Sequence, residues 1–232
     1  MRKACFGIVF ALLLGSLECS AQQPASAQAA AQSAAQSAAQ SAPQAQIQLP
    51  GAARTGGMSL NEALAHRRSV RSFTAEKITL AQIAQLAWSA QGISGDQGHR
   101  TAPSAHAKYY LHLYLAEPEG FFEYIPASHT LQQLSAKDLR ASLSTQETVK
   151  NAPIVFMIAG EYGRAIKDAP QGTRFVDLEA GHAAENMLLE ATAMGLGAVP
   201  VGGIDPPQTA QAAGLPQTIT PIYLVPVGHP KP

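Results

Sequence analysis

The sequence predicts an α+β fold, because helix and strand patterns mix along the chain without a regular strand–helix–strand repeat. Two capping boxes, Ser59 with Glu62 and Thr79 with Gln82, predict the starts of two helices. Residues 109–116 (YYLHLYLA) place a leucine at every second position, which is the period of a strand. We therefore expect helices packed around a sheet.

The other elements follow from similar signals. The helix after Thr79 is expected to end near Gly92, and the glycines at 195 and 197 are expected to end the longest helix. A hairpin is expected to turn at residues 126–128 (PAS). In chain order the predicted elements are helix 60–66, helix 80–91, strand 109–116, strands 121–125 and 129–134, helix 137–143, strand 153–159, helix 175–194, strand 198–202, helix 207–213 and strand 222–227.

The first 54 residues are expected to lie outside the folded domain, which is predicted to span residues 55–232. A basic start and a short apolar run, followed by small residues, are typical of a secretory signal peptide over residues 1–21. Residues 22–54 are mainly alanine, glutamine and serine, which offer little to bury, so a disordered linker is predicted. We expect export to the periplasm or the medium; a lipid anchor at Cys19 is the alternative.

Composition excludes several classes of function. The formal net charge is zero and the pI is near 7.1, which is atypical of a general nucleic-acid binder. Both cysteines, Cys5 and Cys19, lie in the predicted signal peptide, so thiol catalysis, disulfides and cysteine metal sites are not expected in the mature protein. The apolar run is too short for a membrane span.

Two motifs suggest sites that the context does not support. Residues 195–205 (GLGAVPVGGID) lack the sixth-position glycine of a dinucleotide fingerprint, and they follow a helix instead of preceding one. Glu179 and His182 have the spacing of a di-iron ligand pair, but no second pair exists. We expect His182 to be packed and hydrogen-bonded, and Gly181 to allow close approach of another helix. Gly202 and Gly203 form either a tight turn or a surface where a flat ligand meets bare backbone.

The basic turn HRRSVRS, residues 66–72, is the strongest candidate for a binding site. Arg67, Ser69 and Arg71 recur at every second position, so in extended chain their side chains point the same way. Guanidinium groups pair bidentately with phosphate oxygens, and a hydroxyl adds a further donor. The alternative interpretation is a solvated basic corner.

Taken in order, five motifs resemble the FMN-dependent nitroreductase family, most closely its SagB-type dehydrogenase branch. The resemblance covers residues 59–230. The motifs are RRSVRSF (67–73), LAQIAQLAWSAQGI (80–93), RTAPSAHAKYYLHLY (100–114), LEAGHAAENMLLEATAMGLGAVPVGGID (178–205) and PIYLVPVGHP (221–230).

This resemblance implies a mostly antiparallel central sheet flanked by helices, in an intertwined homodimer with FMN at the subunit interface. It implies an oxidoreductase that transfers hydride through flavin N5, in ping-pong fashion, to or from a small organic substrate. NAD(P)H or another reductant would be the donor. A non-catalytic flavin-binding protein and a dehydrogenase of azoline-type peptide rings are the alternatives.

The resemblance also implies roles for individual residues, although it assigns no catalytic residue. Arg67 and Ser69 would hold the FMN phosphate and ribityl chain, with Arg68 adjacent. Arg71 would lie by the N1–C2=O edge of the flavin, where a positive charge favours reduction. The ring would be lined from the other subunit by Pro103, Ser104 and Ala105. Its opposite edge would face Pro200, Val201, Gly202 and Gly203, with the Gly202 N–H donating to N5.

Three positions depart from the family pattern. His106 stands where this branch has glycine, and Tyr110 stands where it has proline. A Lys-Tyr pair is associated with azoline oxidation, and here the sequence reads Lys167-Asp168. The lysine matches and the tyrosine does not, which disfavours an azoline-forming role.

Overall fold

The computed structural model describes residues 45–232. The predicted signal peptide and the linker up to residue 44 lie outside the described residues. The helices are α1 (Leu60–His66), α2 (Leu80–Gln91), α3 (Arg140–Leu143), α4 (Glu147–Lys150), α5 (Tyr162–Asp168), α6 (Gly172–Ala193) and α7 (Pro206–Ala213). The strands are β1 (Gln46–Gln48), β2 (Leu111–Glu117), β3 (Gly120–Ile125), β4 (Thr130–Ser135), β5 (Ile154–Gly160), β6 (Gly197–Ala198) and β7 (Thr220–Gly228).

One seven-stranded sheet runs in the order β1-β4-β3-β2-β5-β7-β6, and every neighbouring pair is antiparallel. Both predicted capping boxes form: the Ser59 and Thr79 side chains each accept a hydrogen bond from a backbone amide of the first turn, and their own backbone N–H groups donate to the side chains of Glu62 and Gln82. The predicted hairpin is β3–β4. The α+β prediction with a mostly antiparallel sheet is confirmed.

The sheet is covered on both faces. On one face, alternate residues of β2 and β5, such as Leu113 and Phe156, pack with α2 and α6. On the other face, the intervening residues, such as Tyr114 and Met157, pack with Leu143 and other side chains from the shorter helices. The alternating leucines of residues 109–116 all lie on the first of these faces. Tyr114 is buried as well, because helices cover the second face.

The folded domain begins earlier than the sequence predicted. Residues 46–48, which were assigned to the linker, form β1 and pair with β4 at the sheet edge. Leu49 is buried, and His129 Nε2 lies 2.8 Å from the carbonyl oxygen of Pro50. Composition could not indicate this strand, because it has no periodic pattern of its own and forms by pairing with the open edge of β4.

Some boundaries also differ. Two short helices are not predicted by the sequence. Helix α4 follows Gln146, and α5 follows Glu161. The strand predicted at 198–202 is reduced to Gly197–Ala198, because Pro200 has no N–H for a ladder. Among the described helices none has the length and apolarity of a membrane span.

Two expectations for α6 have different outcomes. His182 is exposed, so the expectation that it is packed inside the chain is wrong. A Cβ at Gly181 would meet no atom of this chain within 4 Å, so the close approach expected there is not made within one copy.

Candidate functional site

The basic turn lies against the short strand β6. Ser69 forms a parallel bridge with Ala198, and the N–H of Val70 donates to the Ala198 carbonyl at 3.0 Å. A Cβ at Gly197 would lie only 2.6 Å from Val70 Cγ1. The glycine therefore allows the turn to approach the strand, and residues 67–71 are held in place by backbone contacts on one side.

The three arginines of this turn have different partners. Arg67 Nε lies 3.2 Å from Glu185 Oε1 on α6. Arg68 donates to the carbonyl oxygens of Ala65 and Arg67 at 3.0 and 2.7 Å, and so satisfies acceptors at the C-terminal end of α1. Within residues 45–232, the exposed guanidinium of Arg71 has no hydrogen-bond or carboxylate partner. Arg71 is therefore the arginine of this turn whose charge is fully available to a ligand.

The diglycine segment, residues 200–203, reaches the same end of the sheet. Val201 exchanges backbone hydrogen bonds with Leu224 at 2.8 and 3.0 Å, which fixes the segment beside β7. Gly202 and Gly203 are exposed. A Cβ on Gly203 would have only Gln146 Nε2 nearby, at 3.9 Å. The backbone is therefore open at Gly203, whereas a Cβ on Gly202 would lie 3.1 Å from Cε1 of Tyr223.

The α4 region connects the basic turn to the diglycine segment. Gln146 Nε2 donates to the Gly203 carbonyl at 2.8 Å, and Thr148 Oγ1 donates to the Arg71 carbonyl at 3.4 Å. The structure therefore brings the predicted residues 67–71 and 200–203 to one end of the sheet. Gln146, Thr148 and Glu185 were missed by sequence reasoning, because a four-residue helix and a contact between distant segments leave no periodic signal.

The third predicted segment, residues 103–105, contacts a different part of α6 from the basic turn. Ser104 Oγ donates to Glu179 Oε2 at 2.5 Å. Glu179 and Glu185, which anchor this segment and the basic turn, are about 9 Å apart along α6 and about 120° apart around it. The geometry of one copy does not place Pro103, Ser104 and Ala105 beside the basic turn, and their role across a dimer stays a prediction.

Two departures from the family pattern meet in one hydrogen bond. The buried Tyr110 hydroxyl donates to Asp168 Oδ2 at 3.1 Å, and Lys108 Nζ lies 3.6 Å from the same oxygen. Burial first, and the Asp168 carboxylate second, raise the pKa of Tyr110, so it stays a donor. Lys167, beside Asp168, is exposed at the end of α5.

The third departure lies in a strained backbone. His106 has φ 54°, in the left-handed region that favours glycine, which accounts for the glycine that the resemblance expected there. Ala107 and Tyr109 also have positive φ, at 54° and 50°.

Within residues 45–232, no three histidine, cysteine, aspartate or glutamate side chains are grouped as metal ligands would be. The described site is one of guanidinium groups, a hydroxyl and open backbone.

The model of the nitroreductase family matches residues 64–229. The chain belongs to the nitroreductase family. It is 32% identical over 195 residues to the nitroreductase-like protein MJ1384 of Methanocaldococcus jannaschii, an alignment that covers 79% of this chain and 96% of that protein. The family prediction made from the five motifs is confirmed.

Solved structures agree with this assignment. A nitroreductase-like protein from Ralstonia eutropha is 33% identical, has a TM-score of 0.76, and matches over 81% of this chain and 90% of its own. A chain of the Escherichia coli microcin synthetase McbBCD complex has a TM-score of 0.65 at 22% identity, over 79% of this chain and 77% of that one. The second similarity establishes the fold alone.

Proposed function

We propose that the protein is an exported, homodimeric, FMN-dependent oxidoreductase that passes reducing equivalents to or from a small organic substrate. Membership of the nitroreductase family supports an oxidoreductase. The observation that carries the cofactor assignment is the pairing of an uncompensated cation, Arg71, with the side-chain-free edge at Gly202 and Gly203. The flat ring of FMN gains negative charge at its N1–C2=O edge on reduction; Arg71 would meet that edge, and the bare backbone at Gly202 and Gly203 would face the ring.

In this proposal the basic turn binds the phosphate and ribityl chain. Arg67 and Ser69 supply donors, and Arg68 adds positive charge while it caps α1. Bound FMN supplies hydride transfer at N5. The protein's own residues would hold and orient it: Arg71 would place a positive charge near the N1–C2=O edge, and the Gly202 N–H would donate to N5. A fixed charge beside a developing negative charge favours the reduced form.

Exposed apolar side chains support the homodimer. Leu60 and Leu64 on α1 and Leu178 on α6 are all exposed, and α1 packs against α6. Gly181 lies one turn from Leu178 with no atom of its own chain near its Cβ position. A second copy that covered this surface would bury the leucines, and in this proposal its residues 103–105 line the flavin ring.

Gly181→Arg tests the dimer. The side chain has free space in one copy, so the fold is expected to persist while the molar mass measured by light scattering falls to that of a monomer. Gly163→Arg on α5 is the control, because a Cβ at Gly163 also meets nothing within 4 Å. A wild-type protein that is already monomeric would contradict the homodimer.

The proposed donor is NAD(P)H or another reductant, and a dehydrogenase that takes hydride from an organic substrate is a variant of the same proposal. An azoline dehydrogenase is less well supported, because the position expected to hold tyrosine is Asp168, and Asp168 is engaged by Tyr110. Export is tested by fractionation of cells that express the full chain or a chain that lacks residues 1–21.

The decisive experiment is the absorption spectrum of the purified protein with and without added FMN. We expect Arg67→Ala to weaken FMN binding by about 1.5–3 kcal/mol, the scale of a charged hydrogen bond. Arg71→Ala should mainly lower the flavin reduction potential. Lys137→Ala is the control, since it removes an exposed positive charge from a residue that is not part of the proposed site.

Three results would overturn this proposal at different levels. A colourless protein that ignores FMN would remove the cofactor. A flavin that dithionite reduces but no organic donor does would indicate a binding protein without turnover. If Arg67→Ala and Arg71→Ala behave like Lys137→Ala, the residue assignment is wrong.

A further inference from the structure

A buried carboxylate on α6 remains outside the site described so far. Glu179 is only 2% exposed. Its Oε2 accepts hydrogen bonds from Ser104 Oγ at 2.5 Å and from the Tyr110 N–H at 3.5 Å. A carboxylate is unfavourable in the interior unless hydrogen bonds compensate for the water that it loses. The hydrogen bonds from Ser104 and Tyr110 provide this compensation.

The residues that Glu179 holds are the ends of a strained loop. Ser104 Oγ also accepts from the Tyr109 N–H at 2.8 Å, so one hydroxyl links the carboxylate to both ends of the segment 104–109. Within that segment His106, Ala107 and Tyr109 all have positive φ. Non-glycine residues adopt such conformations only when surrounding contacts impose them.

Most other contacts hold the C-terminal part of this loop, and in its middle the His106 ring lies edge-on to Phe175, with ring centroids 6.3 Å apart. Arg164 donates to the carbonyl oxygens of Lys108 and Tyr109 at 2.6 and 2.8 Å. The Arg100 guanidinium lies 4.6 Å from the Tyr109 ring centroid. At the N-terminal end, the side-chain hydrogen bond that the described residues make from Pro103 or Ser104 to α6 is the one between Ser104 and Glu179.

We propose that Glu179 is a positioning residue that, through Ser104, holds the segment 103–109 in a single strained conformation. The consequence for catalysis rests on the proposed function, in which this segment lines the flavin from the partner subunit. The coupling between Glu179 and the loop does not depend on that function, because all of its contacts lie within one chain.

Glu179 performs this role as a hydrogen-bond acceptor. Burial raises the pKa of its carboxyl, while Ser104, the Tyr110 amide and Arg100 act in the opposite direction. Tyr110 also contacts two charged groups: the Arg164 guanidinium lies 4.9 Å from its ring centroid, and Asp168 accepts from its hydroxyl. A glutamine at 179 keeps an acceptor oxygen for Ser104 and the Tyr110 amide and removes the charge, so it separates hydrogen bonding from charge.

The test is hydrogen exchange of the full chain without flavin, read at the amides of residues 104–110. Glu179→Ala and Ser104→Ala should each accelerate exchange there by about tenfold or more, the factor set by leaving a buried hydrogen-bond partner unsatisfied. Glu179→Gln should leave these amides within about threefold of wild type. Ser104→Ala keeps the helix core intact and so separates the loop effect from misfolding.

Glu190→Ala is the matched control. Glu190 lies on the same helix, and burial also raises its pKa, but its hydrogen-bond partner is Gln85 and not the loop. It should leave exchange at residues 104–110 unchanged. Equal acceleration in the Glu190 and Glu179 variants would overturn the proposal, and so would a Glu179→Gln protein that exchanges as fast as Glu179→Ala.

A second readout separates this inference from the proposed function. If FMN binds, its dissociation constant should rise at least about threefold in Glu179→Ala and Ser104→Ala and should return toward wild type in Glu179→Gln. If FMN does not bind the wild type, the proposed function fails while the exchange result still decides the coupling. Altered exchange with unaltered FMN affinity in all variants would remove the link between the loop and the flavin.

Discussion

Helix α6 anchors two segments through two glutamates, and the anchors differ in their exposure to water. The side chains of Arg67 and Glu185 are 32% and 48% exposed, whereas Glu179 is 2% exposed where it accepts from Ser104. An ion pair in water contributes about 0–1 kcal/mol and can exchange one partner for another anion. A buried hydrogen bond to a carboxylate is costly to break. A ligand can therefore replace Glu185 as the partner of Arg67 in the basic turn, whereas the buried hydrogen bond to Glu179 holds the 103–109 segment in place.

The pH dependence of stability should come from the half-buried Glu117 and the buried Glu179 and not from the basic turn. Burial raises the pKa of Glu117 from its usual 4.5 to about 7, and it also raises that of Glu179. Such groups hold their protons more tightly when folded, so they stabilise the fold below pH 4.5 and lose that contribution as the pH rises through the folded pKa. For Glu117 the loss is at most about 3 kcal/mol.

Urea unfolding at pH 4.5 and 7.5 checks this expectation. Glu117→Gln should remove most of the decrease in unfolding free energy between the two pH values, and Arg71→Ala should leave the decrease unchanged. A decrease that disappears in Arg71→Ala would mean that the basic turn is coupled to the core, against the contrast drawn above.

The next largest effect is expected where the basic turn meets the sheet. Gly197→Ala places a Cβ 2.6 Å from Val70 Cγ1, so we expect the unfolding free energy to fall by about 1–3 kcal/mol and FMN binding to weaken as the turn moves. Gly203→Ala is the comparison, because its Cβ meets only Gln146, at 3.9 Å. It should weaken FMN binding and leave stability within about 0.5 kcal/mol. Similar stability losses in both variants would contradict a ligand role for the diglycine edge.

A smaller effect is expected near the segment that Glu179 holds, from the hydrogen bond between Tyr110 and Asp168, two residues that depart from the family pattern. Tyr110→Phe removes the hydroxyl that donates to Asp168, and the unfolding free energy should fall by about 1 kcal/mol. Asp168→Asn should have a smaller effect in the Tyr110→Phe background than in wild type, since the partner is already lost. Additive effects in the double variant would show that the hydrogen bond contributes nothing to stability.

Sequence predicted local features better than contacts between distant segments. The capping boxes at Ser59 and Thr79 and the hairpin were predictable because each is encoded within a few neighbouring residues. The strand β1 was not, because its partner is a remote edge. Alternation of Arg67, Ser69 and Arg71 indicated the turn, but the pairing of Arg67 with Glu185 depends on how α1 packs against α6.

The smallest expected effect tests whether the exposed anchor exchanges its partner. In the proposed site Glu185 competes with the FMN phosphate for Arg67, so Glu185→Gln should tighten FMN binding by up to about fivefold, the factor for an exposed ion pair of about 1 kcal/mol. The gain should shrink as salt rises, because exposed charges are screened. Glu119→Gln is the control, since it removes the same charge from an exposed pair with Lys77. Weaker binding in Glu185→Gln alone would mean that the carboxylate orients Arg67 toward the ligand, and the basic turn would then be as fixed as the segment that Glu179 holds.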